Sequence, residues 1–170
     1  MRHIIGYAAT GTALVALTLA GCGSGGNGGG GATKAGTSTA SRTTLTAADV
    51  KNVGTVVTDS KGYVLYRFDA DSANPTKVTC YAACAMLWPA ATAQGAITTK
   101  GIDKNLVTTV KRTDGTTQLT LAGWPLYRYS KDDEPKEAYG QGVDGTWFAV
   151  TPTGAKASGE PATNTGGSGY

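Results

Sequence analysis

The sequence predicts a mainly β domain, with antiparallel sheets built from two pseudo-symmetric repeats and one short helix near Cys80–Trp88. Three observations carry this. Ser60–Asp71 aligns with Leu121–Asp132 at a constant offset of 61, so that Leu65-Tyr66-Arg67 falls on Leu126-Tyr127-Arg128. β-Branched runs alternate with Gly-containing turns across the middle of the chain. Both ends are low in complexity, so the apolar residues able to build a core lie between about 49 and 154.

In chain order, Met1-Arg2-His3 forms a short basic start and Ile4–Ala20 an apolar stretch interrupted by Gly and Thr. At about 17 residues it is poor as a membrane span and suited to a signal peptide. It ends in Leu19-Ala20-Gly21-Cys22, which resembles the lipobox of bacterial lipoproteins. Residues 1–21 are therefore expected to be a lipoprotein signal peptide. Cys22 is the expected lipidation site, carrying acyl chains such as palmitate that hold the protein to a membrane, where two or three chains bind far more firmly than one. Residues 22–48 are Gly-, Ser- and Thr-rich with no apolar period and read as a flexible linker, reaching roughly 25 to 30 Å. Residues 155–170 are similar and are expected to be a disordered tail.

Within the domain 49–154, the repeats span about 49–95 and 104–154. Val53–Thr58 and Tyr63–Phe68 read as a hairpin turned by Ser60-Lys61-Gly62. Leu106–Thr113 and Thr116–Leu121 read as a second, with Asp114-Gly115 in a type I′ turn. Trp124–Tyr129 follows across Ala122-Gly123, and Asp144-Gly145 leads into a strand over Thr146–Thr151. Ser72–Trp88 is not strand-like; Ala82–Leu87 suits a helical turn or two, stopped by Pro89. Strand alternation places Val64, Tyr66 and Phe68 on one face with Leu65 and Arg67 on the other, and Pro125, Tyr127 and Tyr129 opposite Leu126 and Arg128. The aromatic faces are the expected core and the Leu–Arg faces are expected to be half exposed.

The chemistry is restricted by composition. The chain has 15 Lys plus Arg, 12 Asp plus Glu and a formal charge of +3, scattered rather than clustered, so no nucleic-acid partner is expected. The single histidine, His3, lies in the leader, so the cleaved protein can hold neither a Ser-His-Asp triad nor an imidazole-ligated metal. Cys80 and Cys84 form an even pair in an exported protein and are expected to make a disulfide. The competing reading is a small redox or copper-handling lipoprotein that uses Cys80 and Cys84 as soft ligands, with Met86 a third. Asp69, Asp71 and Asn74 lack the ligand period of a calcium loop. Asp71 and Asp132 read as acceptors of backbone N–H groups after their strands rather than as catalytic carboxylates, because repeats supply two similar environments where catalysis needs two different ones. No catalytic residue, metal site or cofactor is expected.

Tyr66-x-Phe68-x-x-Asp71, Tyr127-x-Tyr129-x-x-Asp132, the Cys80-x-x-x-Cys84-x-x-x-Trp88-Pro89 segment and Gly140-Gln141-Gly142 before Trp147 resemble the bacterial lipoproteins of the "secreted repeat of unknown function" group with the Yx(F/W/Y)xxD motif. The resemblance covers about residues 50 to 154 and the lipobox. It implies an extracytoplasmic lipoprotein of two related repeats and assigns no activity. The expected function is a lipid-anchored, non-enzymatic binding or scaffold module of the envelope. Its partners would be the membrane through Cys22 and an envelope protein, cell-wall component or small molecule.

Overall fold

The computed structural model describes residues 42–160. The expected signal peptide, Cys22 and the greater part of the linker and tail lie outside them. The described chain forms ten strands and one α-helix: β1 Arg42–Val50, β2 Gly54–Thr58, β3 Tyr66–Phe68, β4 Ser72–Ala73, β5 Thr76–Lys77, α1 Ala83–Leu87, β6 Ala96–Lys100, β7 Val107–Lys111, β8 Thr117–Leu121, β9 Trp124–Pro125 and β10 Trp147–Ala149. The sheets run β2-β1-β6, β10-β3, β4-β5 and β7-β8-β9, with every pairing antiparallel except β1 with β6. The fold is mainly β, as predicted.

The two repeats meet at Tyr66 and Tyr127. These residues form an antiparallel bridge and exchange both backbone N–H···O bonds, each 2.9 Å. On the far side of Tyr66 lies Ala149 of β10, and on the far side of Tyr127 lies Ala90. The closing strand of each repeat is therefore laid against the motif strand of the other. A second set of bonds repeats the pattern: Val57 N–H donates to Val150 and Val150 N–H to Leu65, while Leu119 N–H donates to Ala91 and Ala91 N–H to Leu126. Neither repeat completes its own strand pairing, so the two form one cooperative unit.

Both faces of the motif strands are buried. Tyr66, Tyr127, Tyr129, Trp88 and Trp147 belong to an aromatic core, and Leu65, Leu126, Leu119, Leu121, Val57 and Leu45 to an aliphatic one. The expectation of half-exposed Leu–Arg faces is thus corrected for three of its four residues: Leu65 and Leu126 are fully buried and Arg67 is only 7% exposed, while Arg128 is half-buried as expected. Alternation assigned the two faces correctly, but β1 and β8 cover the second face, a tertiary fact that a period of two does not contain.

Four local expectations also change. β1 begins at Arg42, inside the expected linker, because Leu45 fills the aliphatic core at 0% exposure. The tail contributes residues as well: Ala157 is buried, Val150 bridges Lys156, and Gln141 Nε2 donates to the carbonyls of Ala157 and Gly159. Ser72–Lys77 holds the small β4-β5 hairpin around a cis Asn74–Pro75 bond, within the stretch expected to lack strands. Finally, the Asp114-Gly115 turn is not type I′. Gly115 has φ +87° while Asp114 is not left-handed, and Arg112 N–H bonds Thr116, which describes a three-residue loop closed by a left-handed glycine. The two-residue loop with positive φ at both positions occurs at Ala122 (49°) and Gly123 (83°), between β8 and β9. The hairpin of Val107–Lys111 with Thr117–Leu121 and the helix ahead of Pro89 stand where they were expected.

Candidate functional site

The repeat motif builds a reciprocal core. Tyr66 Oη donates to Asp132 Oδ2 at 2.6 Å, and Tyr127 Oη donates to Asp71 Oδ2 at 2.6 Å. The second oxygen of each carboxylate holds a loop: Asp71 Oδ1 accepts from the N–H and hydroxyl of Thr79, and Asp132 Oδ1 accepts from Tyr139 N–H. The aspartates do accept backbone N–H groups, as expected, and each also takes the hydroxyl of the other repeat's tyrosine. Burial is the main reason both phenols are pushed above their ordinary range, with the adjacent carboxylate adding to it. Burial also raises Asp132 to about 6, against the opposing bond from Tyr66.

Four rings fill the space between the strands. Trp88 and Trp147 stack at 3.9 Å, Phe68 lies on Trp147 at 4.1 Å, and Tyr129 on Trp88 at 4.2 Å. Tyr66 and Tyr127 meet Trp88 and Trp147 edge-on. Gly140 sits against this cluster; a Cβ there would come within 2.8 Å of the Tyr66 ring and 2.9 Å of Trp88. All six motif residues, Tyr66, Phe68, Asp71, Tyr127, Tyr129 and Asp132, are thereby committed to packing.

The arginines repeat the exchange. The Arg67 guanidinium lies 3.2 Å from the centre of the Trp124 ring and Arg128 lies 3.7 Å from that of Tyr63. Burial draws Arg67 below its ordinary value. Sequence reasoning missed these pairs, although Tyr63 and Trp124 occupy the same place in the repeat and were visible as such. It also missed Arg112, which is buried, lies over the Tyr81 ring and donates to Gln118 Oε1 and the Cys80 carbonyl.

Cys80 and Cys84 are joined in a disulfide. Cys80 is buried in the aromatic core while Met86 is 76% exposed on the helix. The three sulfurs proposed for a copper site are not gathered: two are spent on each other and the third points to solvent. Among the described residues no group of three or more His, Cys, Asp or Glu is placed to hold a metal ion.

Among the described residues one open feature is a cleft of about 400 Å³. Its floor is the aliphatic core at Leu45, Leu65, Ala91 and Leu119, and its rim carries Arg42, Lys61, Arg128 and Asp59. Asp59 is occupied: Oδ2 accepts from Arg128 Nη1 at 2.8 Å and Oδ1 from the N–H groups of Lys61 and Tyr63. Arg42 and Lys61 are exposed and form no ion pair among the described residues. The cleft thus joins an apolar base to a cationic rim.

A family model described as "secreted repeat of unknown function" matches residues 47–92 and 108–151, one match for each repeat. No curated protein and no solved structure matches the chain.

Proposed function

We propose, since the chain belongs to the family of secreted repeats of unknown function, that it is a lipid-anchored envelope protein acting as a non-enzymatic binding or scaffold module. An extracytoplasmic place follows from the family. The anchor rests on Leu19-Ala20-Gly21-Cys22, and no helix among the described residues is long and apolar enough to cross a membrane.

One observation supports binding above all: the motif residues are consumed by the core, while among the described residues a concave surface stays open in the cleft between Leu65, Leu119 and the Arg42–Lys61 rim. A concave apolar floor with a few polar groups at its edge is the usual form of a ligand site. Two measurements test the reading. Wild type should partition into the detergent phase and the Cys22→Ser protein into the aqueous phase with an unchanged melt; equal partitioning removes the anchor. For binding, envelope extract added to the Cys22→Ser protein should slow amide exchange at Leu65, Thr92 and Leu119. Uniform exchange with and without extract removes the binding role.

A further inference from the structure

The aliphatic base of the cleft is covered. Leu45 and Leu65 are 0% exposed and Leu119 2%, so the base shapes the cleft but leaves a long apolar chain little to bury against. What faces the opening is polar: Arg42, Ser60, Lys61, Thr92 and Gln94 line it and are exposed. Among the described residues the side chains of Ser60, Thr92 and Gln94 form no hydrogen bond. Gln94 is held by its main chain, whose N–H donates to Thr43 Oγ1 at 2.8 Å and whose carbonyl accepts from the same hydroxyl at 3.0 Å. That exchange pins the wall to β1 while its side-chain hydroxyl and amide groups stay unspent.

The available charge has one sign. Three cations, Arg42, Lys61 and Arg128, line the cleft with one carboxylate, Asp59. Both oxygens of Asp59 are engaged, Oδ2 by Arg128 and Oδ1 by the N–H groups of Lys61 and Tyr63, so it is not open to a cationic ligand. Arg128 is held from two sides, by Asp59 and by the Tyr63 ring.

We infer that the cleft binds an acidic saccharide, a hydroxyl-rich molecule carrying a carboxylate or a phosphate. This rests on the binding-module reading of the same cleft and names the class of ligand. Arg42 and Lys61 give charge-assisted hydrogen bonds to the acid, and Ser60, Thr92 and Gln94 pair with sugar hydroxyls. A cleft of about 400 Å³ suits a small molecule of this kind. A fatty acid satisfies the charge but finds the base closed. A bare anion leaves the hydroxyl and amide groups of the wall unused.

The probes are N-acetylmuramic acid and mannose phosphate, titrated into the ¹⁵N-labelled Cys22→Ser protein. The expected result is saturable shifts at Thr43, Leu65, Thr92 and Gln94. The neutral parents, N-acetylglucosamine and mannose, and the acids alone, lactate and phosphate, should each bind at least tenfold more weakly. Lys61→Glu should weaken the acidic sugars at least tenfold, with Lys61→Arg restoring them. Gln94→Ala, which leaves the charge unchanged, should weaken them about threefold, the worth of one hydrogen bond. Three results overturn the proposal: lactate and phosphate binding as well as the acidic sugars, which reduce the site to a bare cationic patch; the neutral parents binding equally, which removes the acid; and decanoate binding more tightly than either probe, which makes the ligand a lipid. A soluble wall glycan carrying the same acidic sugar separates the two sources. Tighter binding of the glycan places the ligand in the wall, and tighter binding of the free sugar makes it a soluble molecule. If no acidic sugar binds while envelope extract still slows exchange at the cleft, the saccharide class falls and the binding role stands.

Discussion

Tyr66 and Asp132 stand 66 residues apart in the chain and 2.6 Å apart in space, and Tyr127 and Asp71 return the same bond from the opposite repeat. Each Yx(F/W/Y)xxD motif is thus completed by the other copy. A tyrosine whose acceptor lies in its own repeat would stabilise one half alone. The crossed arrangement makes each repeat's core depend on the presence of its twin, and the crossed arginine–aromatic pairs Arg67–Trp124 and Arg128–Tyr63 add to that dependence.

The crossed bonds set a first prediction. Tyr66→Phe leaves Asp132 buried without its hydroxyl donor and should cost about 1 to 3 kcal/mol, with Tyr127→Phe costing a similar amount through Asp71. Truncation to alanine removes a fully buried ring and should cost about 3 to 5 kcal/mol at either position. Denaturant melts of Tyr66→Phe, Asp132→Asn and the double variant should show a coupling energy above 0.5 kcal/mol, as contacting residues do. The same-repeat pair Tyr66→Phe with Asp71→Asn should be additive; coupling there instead would mean that each motif closes on itself.

Much of this was legible beforehand, and the gaps have physical causes. The offset of 61 fixed which residues are equivalent, and alternation placed Tyr66, Tyr127 and Tyr129 in an aromatic core. The disulfide was readable from the two cysteines that are left in an exported chain once Cys22 is set aside. The exchange between repeats was not, because equivalence in sequence does not say whether Asp132 serves its own tyrosine or the other. Leu45 gave no signal, since a single apolar residue among Thr and Ala carries no period; only the pairing of β1 with β2 and β6 draws it inward. The cleft is lined by Arg42 and Leu45 of β1, which precede the repeats and so take no part in their alignment.

The two motif arginines should behave unequally. Arg67 is buried, stacks on Trp124 and donates to the Gly154 carbonyl, so Arg67→Ala should cost about 2 to 4 kcal/mol from a desolvated cation–ring contact and a lost charged hydrogen bond. Arg128 is half-buried at the cleft and pairs with Asp59, and Arg128→Ala should cost about 1 kcal/mol. Urea midpoints of the two variants decide between this order and its reverse; equal losses would show that the burial of Arg67 adds nothing.

The disulfide closes a loop of five residues, for which chain entropy gives only about 2 kcal/mol. Reduction, or the paired change Cys80→Ser and Cys84→Ser, should lower stability by about that amount and leave the sheet intact, because Arg112 independently holds the Cys80 carbonyl. Native protein should weigh two hydrogens less than its thiol form. Loss of the near-ultraviolet signal of the Trp88–Trp147 stack on reduction would show instead that the bridge supports the aromatic core.

Asp132 gives the domain a pH dependence of predictable sign. Its folded value is raised to about 6 from an ordinary 3.8, chiefly by burial. Between those values the native chain keeps a proton that the unfolded chain has released, so protonation stabilises the fold. Stability should therefore fall as pH rises from about 4 to 6 and level off above that. Asp114 acts in the other direction: bonds from Thr116 hold it down to about 2, so its contribution is lost only as pH falls below the ordinary carboxylate range. The two windows do not overlap, and the segment between pH 4 and 6 can be assigned by difference. Asp132→Asn should remove the slope there and leave the acid limb unchanged. Tyr66→Phe removes the bond that holds Asp132 down and should move the slope to higher pH. If the slope persists in Asp132→Asn, another buried carboxylate carries it, and the proton does not belong to the Tyr66–Asp132 pair.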